Sequence, residues 1–220
     1  MLSTIRSQQV DEVDDSGAWL SIGDLMSALL MIFALLLISA LVQISESQES
    51  SKNKRILIIQ GINKALSEAN IEVEADPVTG DISILDSVLF EQGDYTLKGS
   101  GKTFLDKFIP IYSNVVFQSE DIADEVSRII VEGHSSREGG FSYNMELSVK
   151  RANSVSYYIY NMDFDKKQEF FDKTLLAGRG PLDADKNSDN AADRKVMFRF
   201  QFKGQELLGS FEQSGLKNVE

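Results

Sequence analysis

The amino-acid sequence predicts an α+β fold class: a single N-terminal transmembrane helix, followed by a domain in which helices pack on a mixed β-sheet. Three observations predict it. A long apolar run lies near the N-terminus, a short polar stretch follows it, and helical and strand patterns then alternate toward the C-terminus.

The size and composition of the chain narrow its class. Its 220 residues, of which 42% are hydrophobic, suffice for a folded domain with a core. The formal net charge of −12 argues against nucleic acid as a partner, since binding to phosphates depends on clustered Lys and Arg. Without cysteine, the chain has no disulfide framework, thiolate zinc site or cysteine nucleophile. We expect no metal and no other cofactor.

The apolar run from Ala18 to Ile44 predicts a transmembrane helix. Its inner part, Leu25 to Val42, has no charged residue, and about 20 apolar residues suffice to cross a hydrocarbon core of about 30 Å. Trp19 would lie at the membrane interface. A cleaved signal peptide fits less well, because the run is too long and acidic residues precede it. Residues 1–17 are then expected to form a short N-terminal tail.

One carboxylate, that of Asp24, falls inside the start of the predicted helix. Bulky aliphatic residues suit lipid, whereas small residues let a second helix approach closely. At about 100° per residue, one side of the helix carries Gly23, Asp24, Ser27, Met31, Ala34 and Ile38. The other side carries Ile22, Leu25, Leu29, Phe33, Leu36 and Leu37. We therefore expect Asp24 to face a protein partner.

Two roles remain open for Asp24 from these residues. Ser21-Ile-Gly-Asp24 fits a capping box, which would place the carboxylate at the helix start near the lipid headgroups. Alternatively, Asp24 takes up a proton on one side of the membrane and releases it on the other. A proton that moves down about 100 mV releases roughly 2.3 kcal/mol, enough to bias a conformational step.

The charges beside the apolar run give conflicting information on orientation. Arg6 precedes the run, whereas Lys52, Lys54 and Arg55 follow it, so the positive-inside tendency would place the C-terminal domain in the cytoplasm. The motifs of that domain indicate the opposite orientation. We expect a cytoplasmic N-terminus and a periplasmic C-terminal domain at the bacterial inner membrane.

The chain beyond the apolar run is divided by composition. Residues 45–54 are polar and are expected to form a linker, either a flexible spacer or an extension of the helix. The folded domain is expected over residues 55–202 and a loosely ordered tail over 203–220.

The folded domain is expected to contain both helices and strands. Predicted helices cover Arg55–Ala69, Gly101–Asn114, Phe141–Asn161 and Asp165–Phe171. Predicted strands cover Ile71–Ala75, Asp81–Leu85, Arg128–Glu132, Thr174–Ala177 and Lys195–Phe202.

A set of motifs in this domain resembles the family of OmpA-like peptidoglycan-binding domains. The central motif consists of Gly133-His-Ser-Ser136-Arg137-Glu-Gly139, Tyr143-Asn144 and Leu147-Ser-Val-Lys-Arg151-Ala152. Further elements of the family are matched by Phe90 and Gly93 upstream, and by Gly178-Arg-Gly180-Pro181 and Asp193-Arg194-Lys195-Val196 downstream. Together the motifs cover roughly residues 81 to 202.

The resemblance implies that these residues bind the peptide stems of peptidoglycan. Arg151 would hold a stem carboxylate with its planar guanidinium group, which can donate two parallel hydrogen bonds. Family members pair this arginine with an aspartate for the amino group of the stem diaminopimelate, where the present sequence has Ser136. The other residues of the implied site are Arg137, Tyr143, Asn144, Leu147 and Arg194.

Structural roles are the alternative for several residues of the motif. Tyr143 and Leu147 would also suit the core-facing side of a helix. His134, the only histidine, is expected to be a hydrogen-bonded structural residue. No Ser, His and Asp arrangement recurs around it, so the sequence does not favour an enzyme.

The complete layout resembles the B subunit of proton-driven stators. The segment Asp24-Leu-Met-Ser-Ala-Leu is similar to the stator helix after its aspartate. The chain resembles the flagellar MotB family and, more closely, the ZorB family of Zorya anti-phage defence systems. This implies a homodimer that binds peptidoglycan and lies within a ring of a MotA-like or ZorA-like membrane subunit, with Asp24 carrying protons. A flagellar stator subunit and a passive wall anchor are the alternatives.

Overall fold

A computed structural model describes residues 16–185 and 190–204 of the chain. Most of the predicted N-terminal tail and of the predicted C-terminal tail lies outside the described residues. The chain divides after Ser50 into two units. The helices α1 to α6 are Ser16–Glu68, Asp86–Leu89, Gly99–Val116, Glu120–Ala123, Phe141–Asn161 and Lys167–Asp172. The strands β1 to β5 are Glu74–Ala75, Ile82–Leu85, Val126–His134, Thr174–Gly180 and Lys195–Phe202.

The described part of the first unit consists of the N-terminal portion of α1. This helix is long and apolar enough to cross a membrane, and its side chains from Trp19 to Ser50 are exposed. Both features fit a single-pass membrane protein. Residues 45–54 are helical as well, which is the second of the two possibilities for the polar stretch. The boundaries between tail, span and linker stay predictions.

The second unit contains a five-stranded sheet with the order β1-β2-β5-β3-β4. Strands β3 and β4 pair in parallel, whereas the other neighbours are antiparallel. The sheet is therefore mixed, and the predicted α+β class is confirmed.

Alternation along β5 shows which side of the sheet faces the helices. Val196, Phe198, Phe200 and Phe202 are buried, and the residues between them are only partly buried. The buried side packs against apolar side chains of α1, α3, α5 and α6. Representative members are Ile58, Ile62, Phe108, Tyr112, Val155, Ile159 and Phe170. This arrangement forms one core between a helical layer and one side of the sheet.

Strand β3 and helix α5 approach each other unusually closely at a glycine. A Cβ atom on Gly133 would lie 2.0 Å from the main-chain oxygen of Ser148. Only glycine fits such a contact without displacement of the backbone. The contact fixes the end of β3, and therefore the loop that follows it, against the first half of α5.

Candidate ligand-binding site

A pocket of about 280 Å³ lies where the loop after α2, the loop after β3 and the first turns of α5 meet. Its lining residues are Gln92, Gly93, Ser135, Ser136, Glu138, Gly139, Tyr143, Asn144, Leu147, Arg151 and Arg194. The pocket thus brings together six of the seven residues that the family resemblance implicated. With Gln92 and Gly93, the lining comes from three segments that are far apart in the sequence: residues 92–93, residues 135–151 and Arg194.

Arg151 forms the base of this pocket and is almost completely buried, with 1% of its surface exposed. Its Nε donates a hydrogen bond of 3.0 Å to the main-chain oxygen of Asp94, and the guanidinium group lies over the ring of Phe90 at 5.4 Å. Its Nη1 lies 3.2 Å from Oδ2 of Asp86 but forms no hydrogen bond within the described structure. The ion pair with Asp86 therefore compensates Nη1, and Arg151 contributes a positive charge of fixed position to the pocket lining.

Asp86 is the counter-charge of the pocket. Its Oδ2 also lies 3.7 Å from Nε of Arg194, so that one carboxylate faces both arginines. Burial raises the pKa of Asp86, while Arg151 and Arg194 act in the opposite direction. The main-chain N–H of Asp86 donates to the oxygen of Arg194, which joins the start of α2 to the residue before β5. Asp86 therefore holds both guanidinium groups in place.

Two serines line the side of the pocket formed by the loop after β3. Ser135 and Ser136 are both buried. The main-chain N–H of Ser135 donates to the oxygen of Gly180, whereas its Oγ has no hydrogen-bond partner in the described part of the chain. The pocket thus contains a buried hydroxyl that is able to donate to or accept from a ligand.

The N-terminal turns of α5 supply the opposite wall. The Nδ2 of Asn144 donates a 2.9 Å hydrogen bond to the main-chain oxygen of Glu138 and so closes the loop onto the helix. Leu147 is buried, whereas Tyr143 is exposed and its hydroxyl lies 3.5 Å from the oxygen of Gly93. Leu147 is therefore a core-facing residue that also forms the apolar floor of the pocket, and Tyr143 lies at its rim.

The remaining implicated residue of this motif points elsewhere. Arg137 does not line the pocket, and its Nε donates to the main-chain oxygen of Ala184 at 3.3 Å. Sequence reasoning, conversely, missed Asp86. The signal that could have identified Asp86 is its position, directly after a predicted strand and four residues before Phe90.

A second group of ionisable side chains lies at the end of β3. Nε2 of His134 is 2.8 Å from Oε1 of Glu132, and Nδ1 is 3.7 Å from Oδ2 of Asp183. Ligand atoms of these three residues lie within 4.8 Å of one another, a spacing that a metal ion could use. Arg199 already contacts the Glu132 carboxylate, and Arg179 binds that of Asp183. Both carboxylates are thus neutralised by arginine, and His134 has the structural role expected of it.

Asp24 belongs to the first unit. Its side chain is exposed on α1, one turn before Ser27, whose hydroxyl donates to the main-chain oxygen of Gly23 at 2.8 Å. A Cβ atom on Gly23 would meet no atom within 4 Å among the described residues. The carboxylate thus lies near Gly23, which has no side chain, and Ser27, whose hydroxyl is hydrogen-bonded within its own helix. Another helix can therefore approach Asp24.

Comparison with known proteins shows what this chain is similar to. Residues 89–195 match the OmpA family, and the pocket residues from Gln92 to Arg194 fall within the matched region. The crystal structure of a MotB like protein from Desulfovibrio vulgaris has the same fold, with a TM-score of 0.51 and 19% sequence identity. That comparison covers 71% of the present chain and 96% of the other. Residues 89–195 are thus similar to OmpA-family domains, and the described domain shares its fold with the MotB like protein.

Two curated relatives extend the similarity to almost the whole chain. Zorya protein ZorB of Escherichia coli O139:H28 is 23% identical over 91% of this chain and 86% of the relative. Zorya protein ZorB of Escherichia coli strain ATCC 8739 is 25% identical over 90% of this chain and 94% of the relative. The similarity therefore includes the apolar helix as well as the OmpA-like domain.

Proposed function

We propose that this chain is the B subunit of a proton-driven, stator-type motor of the bacterial inner membrane, and that it acts in anti-phage defence with a multi-span A subunit. Its OmpA-like domain binds peptidoglycan in the periplasm, and its N-terminus is cytoplasmic. Two copies lie within a ring of the A subunit. The defence role is supported by the Zorya name of both curated relatives.

The observation that carries the wall-binding part of this proposal is the pocket around Arg151. Peptide stems of peptidoglycan carry free carboxylates, and the pocket is lined by two guanidinium groups that both face the buried carboxylate of Asp86. Arginine recognises a carboxylate through planar, paired hydrogen bonds. Arg194, whose side chain is 25% exposed, is the more accessible of the two.

Asp24 carries the motor part of the proposal. A carboxylate within a transmembrane helix is costly and marks an ion or proton pathway when it faces a protein partner. The small residues next to Asp24 allow such a partner to approach. With the domain held by the cell wall, protons passing Asp24 would turn the surrounding ring against a fixed dimer.

Co-sedimentation with isolated sacculi tests wall binding. The full-length chain in detergent is expected to pellet with sacculi, and Arg194→Gln is expected to weaken the apparent affinity by about tenfold. Asp86 keeps Arg151 as a partner in this variant, so the fold should persist. Arg128→Gln, which removes an exposed arginine of β3, is the matched control. Equal pelleting of both variants with the wild type would contradict the assignment of the pocket.

A further inference from the structure

Positive charge outweighs negative charge among the described residues that line the pocket. Of its described lining residues, Arg151 and Arg194 carry positive charge, and Glu138, which is exposed, carries the one negative charge. Asp86 does not line the pocket. A ligand in the pocket therefore meets two cations directly and a carboxylate only at the rim.

Asp86 cannot easily serve a ligand as well as the arginines. Its Oδ2 faces Arg151 at 3.2 Å and Arg194 at 3.7 Å, and only 10% of its side chain is exposed. Turning it toward a ligand would leave a buried guanidinium group without its counter-charge, an expensive arrangement. Asp86 is therefore a positioning residue for the two arginines.

The part of the pocket that is lined by Ser135 and Ser136 is neutral. Ser135 and Ser136 place hydroxyl groups there, and Oγ of Ser135 has no partner in the described chain. A hydroxyl can donate to a carboxylate oxygen. A carboxylate in the pocket could therefore accept hydrogen bonds from the arginines and from a serine hydroxyl. An ammonium group at the same place would be desolvated beside two guanidinium groups, and among the described lining residues the carboxylate of Glu138 lies only at the exposed rim.

We propose that this pocket binds a carboxylate of the peptide stem whether or not a free ammonium group lies beside that carboxylate. The neutral side chain of Ser136 is the reason that the pocket does not require the ammonium group. The inference rests on the proposed function, because it names the part of the wall that the domain recognises. Stems whose side-chain amine is blocked, by cross-linking or by acylation, are ligands of the pocket as well as free stems.

Three synthetic forms of one stem tripeptide that ends in diaminopimelate test this preference. The first has a free side-chain amine and carboxylate, the second has the amine acetylated, and the third has the side-chain carboxylate amidated. Binding to the full-length chain in detergent is measured by isothermal titration calorimetry. The acetylated form is expected to bind at least as tightly as the free form, and the amidated form about tenfold or more weakly.

The variant Ser136→Asp adds the carboxylate that the pocket lacks. It is expected to bind the free-amine peptide about tenfold more tightly than the acetylated one. Ser100→Asp, at an exposed position at the start of α3, adds the same charge outside the pocket and is expected to retain the wild-type ratio. The wild-type measurement needs no variant, so the proposal stays testable if Ser136→Asp does not fold.

The outcomes separate this inference from wall binding itself. Binding of the free-amine peptide alone would overturn the inference and leave wall binding standing. Sedimentation with sacculi without binding of any of the three peptides would also overturn it, because the wall would then be held elsewhere. A chain that neither binds the peptides nor sediments with sacculi would overturn both proposals.

Discussion

Arg151 and Asp24 are both ionisable groups in costly surroundings, but the chain treats them differently. The guanidinium group of Arg151 is buried in the soluble domain, and the chain supplies its counter-charge from Asp86 and a main-chain acceptor from Asp94. The carboxylate of Asp24 lies exposed on an apolar helix among residues that leave room for a neighbour. The pocket around Arg151 is thus formed by residues of one chain, whereas Asp24 leaves room for a neighbour, as the proposed assembly with other chains requires.

The sites of Arg151 and Asp24 should therefore respond differently to substitution. Removing one member of a buried ion pair leaves an uncompensated charge and lowers the stability of the domain. Removing a carboxylate from a transmembrane helix eliminates a cost of up to about 3 kcal/mol on insertion scales, so the helix loses nothing by itself. Effects at Arg151 should therefore appear in folding, and effects at Asp24 only in function.

Arg151→Met should produce the largest change in stability. It leaves Asp86 buried beside Arg194 alone, and we expect the free energy of unfolding to fall by about 3–5 kcal/mol. Urea denaturation of the full-length chain, followed by circular dichroism, measures this change. Lys150→Met, at the adjacent exposed position of α5, is the control.

A double variant tests whether the ion pair causes this loss. Asp86→Asn combined with Arg151→Met removes both charges, and it should be more stable than Arg151→Met alone, because no buried carboxylate that has lost its nearer counter-charge remains. An unchanged midpoint in the single variant would show that the chain does not depend on this counter-charge.

Gly133→Ala should have the next largest effect. The added methyl group would lie 2.0 Å from the main-chain oxygen of Ser148, so β3 and α5 must separate. We expect a loss of about 1–3 kcal/mol or more in the free energy of unfolding, together with weaker binding to sacculi as the Ser135 loop moves. Gly99→Ala, where a Cβ atom meets nothing within 4 Å, is the matched control. Equal stability of the two variants would contradict the close packing of β3 on α5.

Glu132→Gln should have a smaller effect that depends on pH. The hydrogen bond with His134 lowers the pKa of Glu132 below its ordinary value, and Arg199 contributes in the same direction. The stabilisation is therefore present above the ordinary pKa and is lost as the pH falls through the folded-state pKa. The stability difference between wild type and Glu132→Gln should shrink on acidification, as urea denaturation over a pH series would measure.

An exposed glutamate provides the comparison for this pH series. Glu72→Gln, at an exposed position before β1, should leave the pH dependence of the wild type unchanged. A difference between wild type and Glu132→Gln that stays constant from neutral to acidic pH would contradict the role assigned to the hydrogen bond with His134.

Much of the fold could be predicted because periodicity and burial agree along the chain. The helix Phe141–Asn161 and the strand Lys195–Phe202 have the predicted bounds. Burial recurs every three or four residues along the helix and at every second residue along the strand. The predicted strand Ile71–Ala75 is reduced to Glu74–Ala75, because this edge strand pairs with β2 only over two residues. The short helices α2 and α4 have four residues each, too few to show a helical period.

The candidate site was predictable from its motif but not from its electrostatics. The motif around Ser136 and Arg151 led to six residues that line one pocket. Asp86 was missed, because its contact with Arg151 spans 65 positions and depends on the pairing of β2 with β5. Arg137, by contrast, is next to Ser136 in sequence but turns away, since its Nε bonds to the oxygen of Ala184.

The variant Asp24→Asn tests most directly whether this chain is part of a proton-driven defence motor. It is expressed in cells that carry the neighbouring genes, its membrane level is checked by immunoblotting, and phage plating and motility are scored. We expect loss of phage protection at normal membrane levels, and at least partial protection with Asp24→Glu, which keeps the carboxylate. Loss of motility alone would indicate a flagellar stator. Unchanged protection and motility in Asp24→Asn would contradict the account, and would make Asp24 a capping residue and the protein a passive anchor to the cell wall.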